Sequence, residues 1–177
     1  GGYQMLGRKI FDPQYSESSH AEVDGFGLLN IETVFEREKI TCQVEAVSAG
    51  FGDWGSGNGN DNTNPQAQTP VLHGYEIHMG RSTGDIGLFR VTRLSSDSSQ
   101  ILDGSVNRNC WGTYLHGIFD NNEFRRQLLN RIREKKGWSP LPVTFDYAGT
   151  RDKALDNLAK MVSENLDMEF VRRMLQL

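Results

Sequence analysis

Three stretches of the chain hold residue types that can do chemistry. The first surrounds His116, in Cys110-Trp111-Gly112-Thr113-Tyr114-Leu115-His116-Gly117-Ile118-Phe119-Asp120. A strand-like run ends at this histidine, a glycine follows, and a helix signal begins at Asp120. Histidine titrates near neutral pH and so suits proton transfer. The C-terminal end of a strand in an α/β sheet is also where such sheets place their ligands. A half-buried histidine bonded to a neighbouring loop would leave the same local pattern. The second stretch is His73-Gly74-Tyr75-Glu76-Ile77-His78-Met79-Gly80-Arg81. As a strand it puts Glu76 and His78 on one face and Tyr75, Ile77 and Met79 on the other. The spacing of His73, His78 and His116 matches no standard zinc pattern, so a polar strand face bonding within a cleft is favoured over a metal site. The third stretch is Gly1-Gly2-Tyr3-Gln4-Met5-Leu6-Gly7, a glycine-rich turn opening a short helix. Small residues of this kind flank a nucleophile held on a tight strand-to-helix turn, whose strained backbone leaves no room for bulk.

The elements that must position these residues follow from pattern. Tyr3, Met5 and Leu6 suit a helical turn stopped at Gly7. Residues 8–24 are polar and read as loop. From Gly25 to Val47 the apolar residues become strand-like, with Ile40, Cys42, Val44 and Ala46 in strict alternation. Residues 50–69 are rich in Gly and Asn and predict a long flexible surface loop. Strands are expected near 71–79, 86–94 and 109–115, joined as antiparallel hairpins or a meander. Asp120 and Glu123 have the spacing of a capping box. The helix they open carries Phe124, Leu128, Leu129 and Ile132 on one face and stops at Gly137. A connector with Pro140 and Pro142 leads to a helix from about Arg151, with Leu155, Leu158, Ala159, Val162 and Leu166 on one stripe. A last helix near Asp167 uses Phe170, Val171, Met174 and Leu175. Strands first and helices last read as α+β, or as an α/β sheet with an added antiparallel section.

Composition narrows the classes. At 177 residues the chain is about one domain's worth and needs no staples. A net charge of −4 with both signs interspersed offers no basic face for nucleic acid. No apolar run approaches the ~18 residues of a membrane span, and the N-terminus lacks a basic segment followed by an apolar one. Cys42 and Cys110 lie far apart with no paired spacing, so neither a disulfide framework nor a structural zinc site is expected, and each reads as an ordinary buried thiol. A cytoplasmic setting is expected. The chain does not begin with Met, and Gly1-Gly2-Tyr3-Gln4 reads as entry in mid-motif.

The three stretches, in this order, resemble the cobyric acid synthase family of glutamine amidotransferases. The family's nucleophile turn reads G-I-C-G-G-[YF]-Q-M-L-G, and Gly1 to Gly7 match everything after the cysteine. Gly74 to Arg81 match G-Y-E-I-H-M-G-R without a gap. Gly112 to Asp120 match G-T-Y-L-H-G-[IL]-F-[DE]. The resemblance extends to Gly25-Phe26-Gly27-Leu28-Leu29 with Val34-Phe35, and to the tail from Arg151 to Leu177.

The resemblance implies a class I glutamine amidotransferase-like, flavodoxin-like α/β sheet with added antiparallel strands, its N-terminal strands missing, followed by C-terminal helices from about residue 150. The whole of residues 1–177 would be a partial glutaminase domain starting just after the nucleophilic cysteine, and inactive by itself. His116 takes the role of the histidine of a Cys–His pair. The backbone N–H of Gly1 would be an oxyanion donor, and Gln4 would lie beside the bound glutamine. Glu76 would be structural, since the family is described as lacking an acidic third member. No cofactor is implied for this domain; ATP and magnesium, with the corrinoid substrate, belong to an N-terminal synthetase domain. Ammonia freed from glutamine would amidate corrinoid carboxylates in cobalamin biosynthesis. Association into a homo-oligomer is expected, with no nucleic acid or membrane partner. The alternatives are another amidotransferase on the same domain (a cobyrinic acid a,c-diamide synthase or a cell-wall enzyme) and a non-catalytic binding or assembly module.

Overall fold

A computed structural model describes residues 1–49, 70–94 and 99–175. The flexible loop expected at 50–69 lies outside the described residues. The chain forms two compact units, residues 1–124 and 125–177.

The first unit opens with helix α1 (Gly2–Leu6), which gives way at Gly7 as the sequence predicts. Strands β1 (Lys9–Phe11) and β2 (Glu22–Asp24) follow, then two long strands, β3 (Ile31–Ser48) and β4 (Val71–Gly84). After them come β5 (Phe89–Arg93), β6 (Gln100–Asp103), β7 (Ser105–Asn107), β8 (Cys110–Gly112) and β9 (Leu115–His116). Residues 8–24 are therefore not all loop. The two strands there are three residues long, too short for a period to show, and pairing rather than pattern makes them: β1 lies parallel on the first half of β3 and antiparallel to β2.

The sheet is built around β3 paired antiparallel with β4. One edge of β3 takes β1 along its first half and β5 along its second, and β6 extends β5. β9 pairs antiparallel with β4 on the other side, while β7 and β8 form a separate ribbon. On β4 the buried residues Leu72, Glu76, Gly80 and Ser82 all have even numbers. On β3 the buried residues are Ile31 and Thr33, then Val44 and Ala46. Parity reverses because the register breaks between Phe35, opposite Gly80, and Ile40, opposite His78. Four residues of β3 there face only Met79, a bulge that turns the rest of the strand over.

Most of the apolar core gathers around Phe89, with Val44, Ala46, Leu72, Leu88, Val91, Leu115, Ile118 and Phe124. A smaller cluster of Tyr3, Leu29 and Ile31 seats α1 on the sheet. Leu29 and Ile31 are fully buried, each contributing about 1.5–3 kcal/mol. The segment before Leu29 also uses up the carbonyls that α1 leaves free. Phe26 N–H donates to Met5 O, Gly27 N–H to Gly7 O and Leu29 N–H to Leu6 O, each at 2.8 Å.

After β9 a 3₁₀ turn (Ile118–Asp120) precedes helix α2 (Asn122–Lys135). The expected capping box at Asp120 and Glu123 is thus displaced: Asp120 ends the turn, and Asn121 stands between the two elements. In the second unit the connector is pinned back on α2. Arg125 donates to Phe145 O, Arg133 to Ser139 O, and Asn130 bonds both backbone groups of Leu141. Helix α3 (Tyr147–Asn165) begins four residues before the expected Arg151, and α4 (Met168–Leu175) follows. Leu155, Leu158 and Val162 of the expected stripe are on α3 and Leu166 caps its C-terminal end, all with exposed side chains.

Gly74 lets β9 come close to β4. A Cβ there would lie 2.3 Å from His116 O and 2.6 Å from Leu115 Cδ1, so an alanine forces the strands apart. Gly74→Ala should destabilise the fold by about 1–3 kcal/mol, read by urea unfolding, and should shift the amide resonances of Leu115 and His116 more than those of β5.

Candidate active site

One cavity of about 400 Å³ collects the residues singled out in the sequence. Gly1 and Gln4 of α1 line it, as do His78 of β4 and His116 at the end of β9, with Tyr3, Tyr114, Phe35, Lys39 and Glu17 among the others. The volume is that of a small-molecule site. Gly1 is the N-cap of α1, and its carbonyl accepts from Met5 N–H at 3.0 Å. Gln4 is buried, and its Nε2 donates to Tyr114 Oη at 3.3 Å.

His116 is exposed, and its ring stacks on Tyr75 with centroids 5.1 Å apart and planes 8° from parallel. The chain then turns at Gly117 with φ of 75°, a left-handed conformation that glycine adopts freely. Asn121 clamps the end of this turn: its Nδ2 donates to His73 O and its Oδ1 accepts from His73 N–H, both at 2.9 Å. Upstream, the buried Asp103 holds the run that leads to the histidine. Its Oδ2 accepts from the Thr113 hydroxyl and, at 3.0 Å, from Tyr114 N–H, while Thr113 Oγ1 accepts from Leu115 N–H. Burial pushes the Asp103 carboxyl up despite these donors. Nothing in the sequence singled out Asp103 or Tyr114, because neither spacing nor alternation marks a contact between β6 and the turn before β9.

Glu76 and His78 share the inward face of β4, as alternation predicts. Glu76 is fully buried and bonded on both oxygens: Arg93 Nε lies 2.7 Å from Oε2 and His78 Nε2 3.3 Å from Oε1. His78 Nδ1 lies 2.8 Å from Gly80 O and donates to it, so both ring nitrogens are engaged. The imidazole stacks on Tyr114 with centroids 3.8 Å apart. Burial alone would raise the Glu76 carboxyl, but the hydrogen bonds from His78 and Arg93 outweigh it and hold the group down at about 2.

The remaining candidates separate from this group. His73 is exposed and faces Glu45 at 3.7 Å, and no group of three His, Cys, Asp or Glu among the described residues is placed to hold a metal ion. Cys42 and Cys110 are free thiols, half-buried rather than fully so. Burial pushes both up, Cys42 further through the charge of Glu76 beside it, and such thiols are poor nucleophiles. No described helix is long and apolar enough to cross a membrane.

A mixed sheet, a glycine-led short helix and a strand-end histidine facing one cavity are the parts of a class I glutamine amidotransferase-like domain. The family model for the CobB/CobQ-like glutamine amidotransferase domain matches residues 1–124, and the chain belongs to that family. The matched region coincides with the first compact unit. Within the family the chain is similar to cobyric acid synthases. It is 42% identical over 171 residues to that of Thermodesulfovibrio yellowstonii, covering 97% of this chain and 31% of the relative. It is 38% identical over 185 residues to that of a Thermoanaerobacter species, covering 99% and 34%. The adenosylcobalamin biosynthesis bifunctional protein CobDQ of Leptospira interrogans is 40% identical over 177 residues, covering all of this chain and 18% of the relative. The chain thus spans about a third or less of the length of these curated relatives.

The Glu76 pairing gives a pH signature. A carboxyl lowered in the folded state contributes stability that is complete above its ordinary 4.5 and is lost as pH falls toward 2. That interval corresponds to about 3 kcal/mol. Glu76→Gln should therefore be destabilised by about that amount at pH 7, with the gap from the unsubstituted protein narrowing below pH ~4.5. Urea unfolding across pH 2–7 measures both.

Proposed function

We propose that this chain forms the glutamine-hydrolysing site of a cobyric acid synthase-type amidotransferase, with His116 as the histidine of a Cys–His pair. One observation supports this reading most: Gly1, Gln4 and His116, drawn from opposite ends of the first unit, line the same cavity. In this reading the nucleophile is a cysteine just upstream of Gly1 in the parent protein. His116 takes the thiol proton, and the sulfur attacks the side-chain amide carbon of glutamine. The negative charge that develops on the amide oxygen is met by Gly1 N–H. His116 returns the proton to the amide nitrogen, the C–N bond breaks, and ammonia leaves a thioester behind. Water, deprotonated by His116, then cleaves the thioester to glutamate and restores the thiol. Gln4 sits beside the substrate. Glu76 stays structural, since Arg93 and His78 occupy its carboxylate.

Ammonia released here would serve ATP-dependent amidation of corrinoid carboxylates in cobalamin biosynthesis, with ATP and magnesium bound elsewhere in the parent protein. We place that enzyme in the cytoplasm, as a homo-oligomer. Residues 1–177 alone would release no glutamate.

A longer polypeptide that includes the residues upstream of Gly1 should hydrolyse glutamine, and His116→Ala in it should lower kcat by about 10²–10⁴-fold. Glutamate release measured for the two polypeptides decides the matter. Turnover undiminished in His116→Ala would remove that residue from the mechanism, and amidation of a non-corrinoid acceptor would point to another amidotransferase of this family.

A further inference from the structure

The outer part of the cavity carries two charges that the mechanism does not use. Glu17 and Lys39 both line it, and among the described residues neither side chain has an ion pair or a hydrogen-bonding partner. Of the other ionisable side chains in the lining, His78 is held by Gly80 O and Glu76, Tyr114 by Gln4 and Ser82, and His116 has its assigned role; Tyr3 is a buried phenol whose pKa burial pushes up, so it brings no charge. Both charges are delivered by a built backbone. Asp12 is buried, and its carboxylate accepts the N–H groups of Ser16, Glu17 and Ser18 at 2.7, 2.8 and 2.9 Å. Burial works against that carboxylate's charge, but the three donors outweigh it and hold its pKa below the usual range. Lys39 closes the bulge of β3 that Phe35 opens, and both residues line the cavity. Arg37, inside the bulge, donates to Gln14 in the Asp12 loop, tying the two segments together.

Glutamine, the substrate of the proposed function on which this inference rests, carries an α-ammonium and an α-carboxylate as well as the reacting amide. The cavity offers one free carboxylate and one free ammonium beyond the groups that face the amide. We propose that Glu17 binds the α-ammonium of glutamine and Lys39 its α-carboxylate, so that these two residues select a free zwitterionic amino acid over other primary amides. Their contacts are the same in ground and transition states, so their loss raises KM and spares kcat.

The test uses the longer polypeptide that includes the residues upstream of Gly1, with glutamine, glutaramate (no α-ammonium) and glutamine α-amide (no α-carboxylate) as substrates. Glu17→Gln should raise KM for glutamine about two- to fivefold, the cost of one exposed ion pair, and leave KM for glutaramate unchanged. Lys39→Met should raise KM for glutamine and glutaramate and leave that for the α-amide unchanged. In both variants kcat should stay within twofold and thermal melting should not move, because both side chains are exposed. An active parent polypeptide whose two variants keep the original KM for glutamine would overturn the charge assignment alone. A KM rise that is equal for all three amides would overturn it too, since it would reflect a general disturbance of the cavity. No glutamate release by the unsubstituted longer polypeptide would overturn the glutaminase reading and this inference with it.

Discussion

The pairing of β3 with β4 fixes where everything else can go. β4 runs without interruption, and its buried residues, from Leu72 to Ser82, are all even-numbered. β3 cannot match it in one register, because Ile31 and Thr33 must be buried at one end and Val44 and Ala46 at the other. A strand has a side-chain period of two, so a regular pairing would turn one of these pairs to solvent. The conflict is resolved by expelling residues between Phe35 and Ile40. The expelled segment is where β3 meets the cavity, so a core requirement also shapes one wall of the site.

The inward face of β4 carries a second constraint. Glu76 is a charge in the interior, and such a group is tolerated only when paired and hydrogen-bonded. Arg93 and His78 satisfy it, and that commitment spreads. His78, held at both nitrogens, presents its face to Tyr114, whose hydroxyl meets Ser82 at 2.9 Å and Gln4 at 3.3 Å. A polar chain thus runs from β5 through β4 to α1. The apolar clusters around Phe89 and around Tyr3 are separate, so polar contacts help to carry rigidity from the sheet to the helix whose Gly1 and Gln4 face the cavity.

The legibility of the fold tracks how much of each element is written locally. Alternation from Ile40 to Ala46 and the run near 71–79 read directly as strand, and the shared face of Glu76 and His78 follows from it, although β4 runs on past that expected end to Gly84. β1 and β2 escape because three residues carry no period. The helix start near Asp120 is misplaced because a 3₁₀ turn intervenes, and both elements accept the same residue types. The placing of Gly1, Gln4 and His116 was legible through short motifs whose residues face the cavity. Asp103 was not, since its partners lie about ten positions away across a turn. Glu17 and Lys39 were invisible for a different reason: a charged side chain on a loop or bulge looks like any solvated surface group.

Those two residues trace back to the same strand. Asp12 follows β1, and it lies two positions after the buried Ile10, hence on the same side of the chain. β1 is set by its parallel pairing with the first half of β3, Ile10 opposite Thr33. The loop carrying Glu17 is therefore anchored by the register of β3 before the bulge, and Lys39 is carried by the bulge itself. A loop without apolar periodicity can still be held in place when one buried carboxylate gathers its N–H groups. Asp12 does this by accepting three of them, which offsets the cost of burying its charge. The two charges of the outer cavity thus have a common origin in one strand that has to turn over midway.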